Sequence, residues 1–280
     1  MNPDALLVGC GDLGTAVGLQ LAGSGHRVVG VRRHAEQIPA PLLGVSADLT
    51  REAPQLPDLD LGVLVVALSA RPRTEEAYRA TYVDGMARAL DALDRVGARP
   101  DRAVLVSSTG VIGDPPGDGL ADETTEPNPA DGPARVLLEA EEVFADRVPR
   151  GTVLRLSGLY GRGEPRLLRQ LRDGADIDPH LWTNRIHRDD AVGAIVHLLT
   201  MDEDPGPLYI GTDDEPAQVG AVAAHLADLA DLPRPPAADP AAGHGKRLSN
   251  DLLRSTGWVP ARPTYREGLR AEPSERDSSR

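Results

Sequence analysis

The segment from Ala5 to Val31 constrains the fold more than any other part of the chain. Ala5–Gly9 (ALLVG) is a short apolar run of the kind a buried strand needs. Gly9-Cys10-Gly11-Asp12-Leu13-Gly14 follows as a G-x-G-x-x-G turn. Thr15–Ala22 then has helical apolar spacing, and Arg27–Val31 (RVVGV) is a second strand. Alone, G-x-G-x-x-G says little. Following a strand, opening a helix and leading to another strand, it is the dinucleotide-binding arrangement. Gly9 makes the tight turn, Gly11 lets backbone approach a pyrophosphate, and Gly14 lets the helix pack close to the strand. The helix N-terminus adds unpaired N–H groups and positive potential, so Asp12 and Leu13 are placed beside the phosphates. The plain alternative is a tight turn before a helix. Cys10 reads as a variable loop position, the alternative being a thiol activated by the helix N-terminus.

The alternation continues downstream. Leu42–Val45 is a weak third strand. Gly62–Leu68 (GVLVVAL) is apolar throughout, as a strand covered on both faces should be, and Arg102–Val106 and Thr152–Leu156 are further strands. Helical spacing covers Thr74–Val96 and Gly132–Phe144. This pattern predicts an α/β fold, a Rossmann-like doubly wound parallel sheet. After residue 158, Pro- and Gly-rich pieces separate helices at Glu164–Arg172, Asp189–Thr200 and Ala217–Leu229. The expected division is a dinucleotide-binding domain over 1–160, a smaller C-terminal substrate lobe over 161–271, and a charged fraying tail over 272–280. Return of later segments to the first domain stays open.

The end of the second strand selects the cofactor. An acid there binds a ribose 2′-hydroxyl, whereas arginine accommodates a 2′-phosphate. The chain reads Val31-Arg32-Arg33-His34, with no acid before Glu36. Two guanidiniums suit a phosphate's several acceptors, so NADP(H) is expected over NAD(H). A solvated turn is the alternative. Asp48, after the third strand, is placed beside the adenine or in a simple turn. Leu68 and Ser107, at the ends of the next two strands, complete the expected cofactor contacts.

Composition excludes several classes. Of 280 residues, 30 are Lys or Arg and 43 Asp or Glu, and the net charge of −13 excludes a generally basic nucleic-acid binder. No apolar run nears the ~18 residues of a membrane span, and no basic region followed by an apolar run opens the chain. Cys10 is the single cysteine, which rules out an intrachain disulfide and a cysteine-built metal site, and the seven histidines are scattered. A cytoplasmic protein without metal, membrane or nucleic-acid partner is expected, acting on a small-molecule substrate.

Further blocks follow in order. They are Val106–Gly113 (VSSTGVIG), Leu154–Gly161 (LRLSGLYG), Asn184–Asp190 (NRIHRDD), Leu208–Pro216 (LYIGTDDEP), Lys246–Asn250 (KRLSN) and Gly257–Pro260 (GWVP). With Gly9–Gly14 they make nearly the whole chain resemble the extended, atypical short-chain dehydrogenase/reductase superfamily, of the NAD(P)-dependent epimerase/dehydratase type. The closing blocks look most like its YeeZ-like branch. The resemblance implies that Ser108, with Thr109 beside it, hydrogen-bonds a substrate oxygen; a Ser/Thr turn capping local backbone is the alternative. It also implies a tyrosine base with a lysine four residues later, whose charge draws the phenol from ~10 toward the working pH.

That pair is missing, because Lys246 is the only lysine and residue 242 is alanine. Arg135 falls where the lysine would be and Asp131 where the tyrosine would be. Arg135 is expected on the nicotinamide ribose, yet a guanidinium exchanges no proton near neutral pH. Tyr160, His187, Asp189 and Asp190 are the candidate proton carriers. Against them stand a pocket wall for Tyr160, a packed ring for His187 and helix N-caps for the two acids, the last being the favoured reading. Trp182, Asn184 and Arg185 sit where related proteins close over substrate, with Arg247 at the rim. Arg185 is expected to meet an anionic group, and a structural surface loop is the alternative. A homodimer through the two long helices is an expectation from the resemblance only.

Three readings follow. The first is an oxidoreductase or epimerase using NADP(H) on a small polar substrate, with relocated acid/base residues. The second is a non-redox lyase, isomerase or cyclase on the same fold. The third is a non-catalytic NADP(H)-binding sensor or partner protein. The intact phosphate loop and the Ser108-Thr109 block favour the first.

Overall fold

A computed structural model describes residues 2–115 and 120–270. The charged tail expected over 272–280 lies outside the described residues. The strands are β1 (Asp4–Val8), β2 (Val28–Arg32), β3 (Leu43–Ser46), β4 (Leu61–Val66), β5 (Arg102–Ser108), β6 (Leu120–Ala121) and β7 (Gly151–Leu156). They continue as β8 (Gly158–Tyr160), β9 (Trp182–Thr183), β10 (Arg185–His187), β11 (Leu208–Gly211), β12 (Ala217–Gln218) and β13 (Arg247–Leu248). The helices are α1 (Asp12–Gly23), α2 (Glu75–Tyr78), α3 (Asp84–Arg95), α4 (Gly132–Arg147) and α5 (Arg166–Arg172). They end with α6 (Arg188–Thr200), α7 (Val219–Leu229), α8 (Asp251–Ser255) and α9 (Tyr265–Gly268).

Seven strands form one parallel sheet in the order β3-β2-β1-β4-β5-β7-β11. Leu6 of β1 pairs with Val29 on one side and Leu64 on the other. Every residue of β1 and β4 is buried, because helices cover both faces of the sheet. Val17 and Leu21 of α1 and Ile195 and Leu198 of α6 pack with Leu7 and Val65 on one face. Met86 and Leu90 of α3 and Phe144 of α4 pack with Leu6 and Leu64 on the other. The chain reverses its direction of travel between β1 and β4, which opens a crevice beyond their carboxyl ends.

The chain after residue 160 is shared between the sheet and the smaller lobe. It returns to the sheet through α6, packed beside α1, and through β11, paired with β7. The lobe has its own apolar cluster, in which Val222 and Leu226 of α7 meet Tyr265, Leu269, Tyr160 and Leu168. No described helix is long and apolar enough to cross a membrane.

A buried ion pair ties α4 to the sheet. Glu141 accepts Arg155 Nε at 3.0 Å and Nη2 at 2.7 Å, and also accepts Ser107 Oγ at 2.5 Å. All three residues are buried. Removing the acid would leave a guanidinium uncompensated in the interior. Glu141→Ala is therefore expected to lose about 3–5 kcal/mol, measured as a lowered urea midpoint. Ser107→Ala should lose only about 1 kcal/mol. A Glu141→Ala midpoint close to that of the parent protein would contradict this account.

Candidate active-site cleft

Two adjoining cavities occupy the crevice. One of about 260 Å³ is lined by Gly9, Arg32, Arg33, Asp48, Leu68 and Arg71, among others. The other, of about 470 Å³, holds Leu13, Tyr78, Tyr82, Ser108 and Leu137. Gly11, Ala67, Leu68 and Ser69 line both.

The phosphate loop is shaped by its glycines. Gly9 has φ +91°, and a Cβ there would lie 2.4 Å from Ala67 O. A Cβ at Gly14 would lie 2.6 Å from Gly9 O. At Gly11 a Cβ would meet nothing within 4 Å, so backbone faces open space at the start of α1. The first turn of α1 has no side-chain cap. The Asp12 carboxylate turns instead to Arg188 Nε at 2.7 Å and Arg162 Nη1 at 2.6 Å. These features fit a dinucleotide pyrophosphate, which needs free N–H donors and close backbone approach. Cys10 is buried, and burial pushes its thiol pKa up, against the activated-thiol reading.

At the end of β2, Arg32 Nη2 donates to Gln37 Oε1 at 2.7 Å. Arg33 and Arg71 line the same cavity, and neither has an acidic partner among the described residues. Asp48 accepts Thr50 Oγ1 at 2.7 Å and Thr50 N at 3.1 Å, which holds its carboxyl below the usual range. It thus builds a turn while lining the cavity.

Two expected cofactor contacts are placed differently. The Ser107 hydroxyl is turned to Glu141, although Ser107 borders the cleft. Arg135 is exposed, its guanidinium 3.9 Å from Glu75, and it does not line either cavity. Asp131, at the expected tyrosine position, caps α4 by accepting Ala134 N at 2.8 Å and pairs with Arg73 at 2.8 Å.

Ser108 Oγ accepts Gly110 N at 3.1 Å, which leaves its proton free to donate into the cleft it lines. Thr109 is buried behind it. Lys246 Nζ donates to Thr109 O at 2.7 Å and also to Ile112 O, so the lone lysine braces this turn from the smaller lobe. Burial pushes its ammonium pKa down.

The other proton-carrier candidates lie elsewhere. His187 is buried and is the N-cap of α6, its Nδ1 accepting Asp189 N at 3.2 Å. The expectation that Asp189 and Asp190 are the caps is corrected accordingly. Asp190 is buried and accepts Ala261 N at 2.7 Å and Arg262 N at 3.1 Å, while Asp189 pairs with Arg188 and Arg262. Tyr160 packs edge-on against His187 with centroids 5.2 Å apart. Its hydroxyl lies where a Cβ on Gly268 would sit, and it has no hydrogen-bond partner among the described residues. Burial and the neighbouring Asp213 push its phenol upward.

Tyr160 and Arg185 line a third cavity, of about 650 Å³, that meets the cleft at Leu159. Asn184 borders it too, but its amide bridges Lys246 O at 3.0 Å and Leu248 N at 2.9 Å. Trp182 lies beneath the Arg247 guanidinium at 5.4 Å, and this stacked pair borders none of the three cavities.

Sequence reasoning missed Tyr78, Tyr82 and Arg73, which line the cleft with Ser108. The available signal was spacing, since residues four apart on a helix share a face. It also missed Asp213, which is 2% exposed with neither oxygen hydrogen-bonded among the described residues. Burial raises its carboxyl to about 8, against the pull of Arg185.

No protein-family profile and no curated protein sequence matches the chain. Solved structures do. One from Methylobacillus flagellatus, assigned as an NAD-dependent epimerase/dehydratase, is 33% identical over 95% of this chain and 96% of its own, with TM-score 0.78. A conserved protein of unknown function from Silicibacter pomeroyi is 27% identical over 96% of this chain and 97% of its own, with TM-score 0.74. MoeE5, in complex with UDP-glucuronic acid and NAD, is 23% identical over 95% of this chain and 96% of its own, with TM-score 0.75, and shares the fold. The chain belongs to the NAD-dependent epimerase/dehydratase family, within the extended short-chain dehydrogenase/reductase superfamily.

Asp213 sets a pH test. Its folded pKa of about 8 exceeds the unfolded value of roughly 4, so the native state binds the proton more tightly. The stability it contributes is full below pH ~4 and is lost as pH rises through about 8. Asp213→Asn should therefore gain on the parent protein between those values and level off above them, read from urea midpoints across pH. A pH-independent difference would contradict the assignment.

Proposed function

We propose that the chain is an oxidoreductase or epimerase of the extended type that uses NADP(H) in preference to NAD(H) on a small polar substrate. One observation carries the cofactor preference. Arg32 and Arg33 stand at the end of β2 and line one cavity with Arg71, and the first acid after β2 is Glu36. A 2′-phosphate offers several acceptors to such guanidiniums, whereas a bare ribose leaves them unused. Gly9, Gly11 and the first turn of α1 would hold the pyrophosphate, and Leu13, Leu68 and Ser108 would border the nicotinamide. Bound there, the dinucleotide supplies hydride exchange. Ser108 donates a hydrogen bond to a substrate oxygen and fixes the reacting carbon against the cleft wall. Arg185, in the adjoining cavity, offers a guanidinium to an anionic part of the substrate. Localisation in the cytoplasm and a homodimer belong to the same reading, resting on the single cysteine and on the family resemblance.

The test is a calorimetric titration with NADPH, NADP⁺, NADH and NAD⁺, repeated on Arg33→Ala. The phosphorylated forms should bind at least about tenfold more tightly, and the variant should lose that margin, as removal of a charge-assisted contact of ~1.5 kcal/mol implies. Equal affinity for the two cofactor types overturns the NADP(H) preference. Failure of all four to bind overturns the cofactor reading itself.

A further inference from the structure

We infer that the phenol of Tyr78 is the acid/base group of the cleft, taking the place of the tyrosine that α4 lacks. The inference rests on the nicotinamide-dependent reading above. It begins with what α4 shows to the cleft. Ala134 and Leu137, three residues apart, are its lining residues, and neither carries a proton to exchange. Asp131 and Arg135 lie outside that lining, engaged with Arg73 and Glu75.

The remaining polar side chains of the cleft can be eliminated one by one. Asp12 is paired with Arg188 and Arg162. Ser107 donates to Glu141, and Ser157 donates to Thr212 Oγ1 at 3.1 Å. Arg73 keeps its proton at any working pH. Ser69 and Ser108 are alcohols, able to orient an oxygen but poor at giving up a proton. Two phenols are left, Tyr78 and Tyr82, with ring centroids 5.1 Å apart.

These two phenols are not equivalent. Tyr82 packs against two apolar clusters, and burial beside Tyr78 pushes its phenol upward. Tyr78 packs against only one of these clusters. Between them the helix relaxes into a π-helical stretch, Arg79–Val83, a feature frequent at functional sites. The charged residues that flank Tyr78 in sequence are paired with α4, Arg73 with Asp131 just before it, Glu75 with Arg135 and Arg79 with Glu139. Arg73 is the one cation of this set that lines the cleft. In the reducing direction Tyr78 breaks its O–H bond and passes the proton to the substrate carbonyl oxygen. A bound reduced dinucleotide would supply the hydride for the carbonyl carbon, and water would then return a proton to the phenolate. The oxidising direction reverses each transfer.

The experiment reads tyrosine ionisation by NMR of ring-labelled protein over pH 8–12, a range spanning the ordinary phenol value of ~10. It compares the free protein with protein saturated by NADP⁺ or NAD⁺, whichever calorimetry shows to bind. The oxidised nicotinamide is positively charged, so a phenol beside it should ionise about one pH unit lower or more. One tyrosine signal should show that shift. Tyr78→Phe should abolish it in protein that still binds the dinucleotide, and Tyr82→Phe should keep it. A shift that survives in Tyr78→Phe, or no shift in protein that binds the dinucleotide, overturns the inference and leaves the cofactor reading standing. Absence of dinucleotide binding overturns both.

Discussion

A methyl group at position 9 would lie 2.4 Å from the carbonyl oxygen of Ala67, and the rest of the cleft depends on its absence. The close approach joins the end of β1 to the end of β4, the two strands between which the sheet reverses. It sets the phosphate loop low enough for α1 to begin at the crevice floor. Gly14 repeats the device one turn later against Gly9 O. Larger residues at either place would push backbone against backbone, which no rotamer change relieves. Gly11 has the opposite surroundings, open space, and that contrast separates the two roles glycine plays within six residues.

The smaller lobe is fastened to this frame by apolar packing of Leu248, Leu253 and Trp258 and by polar ties. Asp190 receives two backbone N–H groups from Ala261 and Arg262. Asn184 bridges the backbone of Lys246, just before β13, and of Leu248 within it. Asn250 donates to Thr212 O and Asp214 Oδ1, both at 2.8 Å. Buried side chains that satisfy backbone groups far away in sequence specify position more sharply than apolar contacts do, because an unmet polar group in the interior costs about 1–3 kcal/mol. Lys246 extends the scheme to the turn that carries Ser108. The lobe therefore shapes the cleft as well as covering it.

The strands were legible because continuous apolar runs such as Gly62–Leu68 leave few alternatives, and the phosphate loop because its glycines stand between two of them. The sequence also put Arg32 and Arg33 at the end of β2, where both line the cleft. What it could not show was partnership across long separations. Asp190 looks like a candidate proton carrier until Ala261 N and Arg262 N are seen to occupy it. Asn184 looks like a substrate contact until β13 is laid against it. Local patterning gives the face a residue occupies, whereas its function here depends on a neighbour some sixty or seventy positions away.

The same blindness applies to α4. Its sequence shows a missing tyrosine and lysine, which suggests a lost activity. In the structure the helix does two other things. Glu141 anchors it from within through Arg155 and Ser107, and Asp131 ties its N-terminus to the loop before α2 through Arg73. That second tie holds the loop carrying Arg73 beside the cleft, and Thr74 begins α2 by accepting Ala77 N. The helix α2 and the π-helical stretch after it then bring Tyr78 and Tyr82 to the wall that Ala134 and Leu137 leave aliphatic. A base lost from one wall of a cleft leaves chemistry intact only when another proton-bearing group borders the same space. Here a pair of phenols does, on a helix whose first turn is held beside the position the missing tyrosine would occupy.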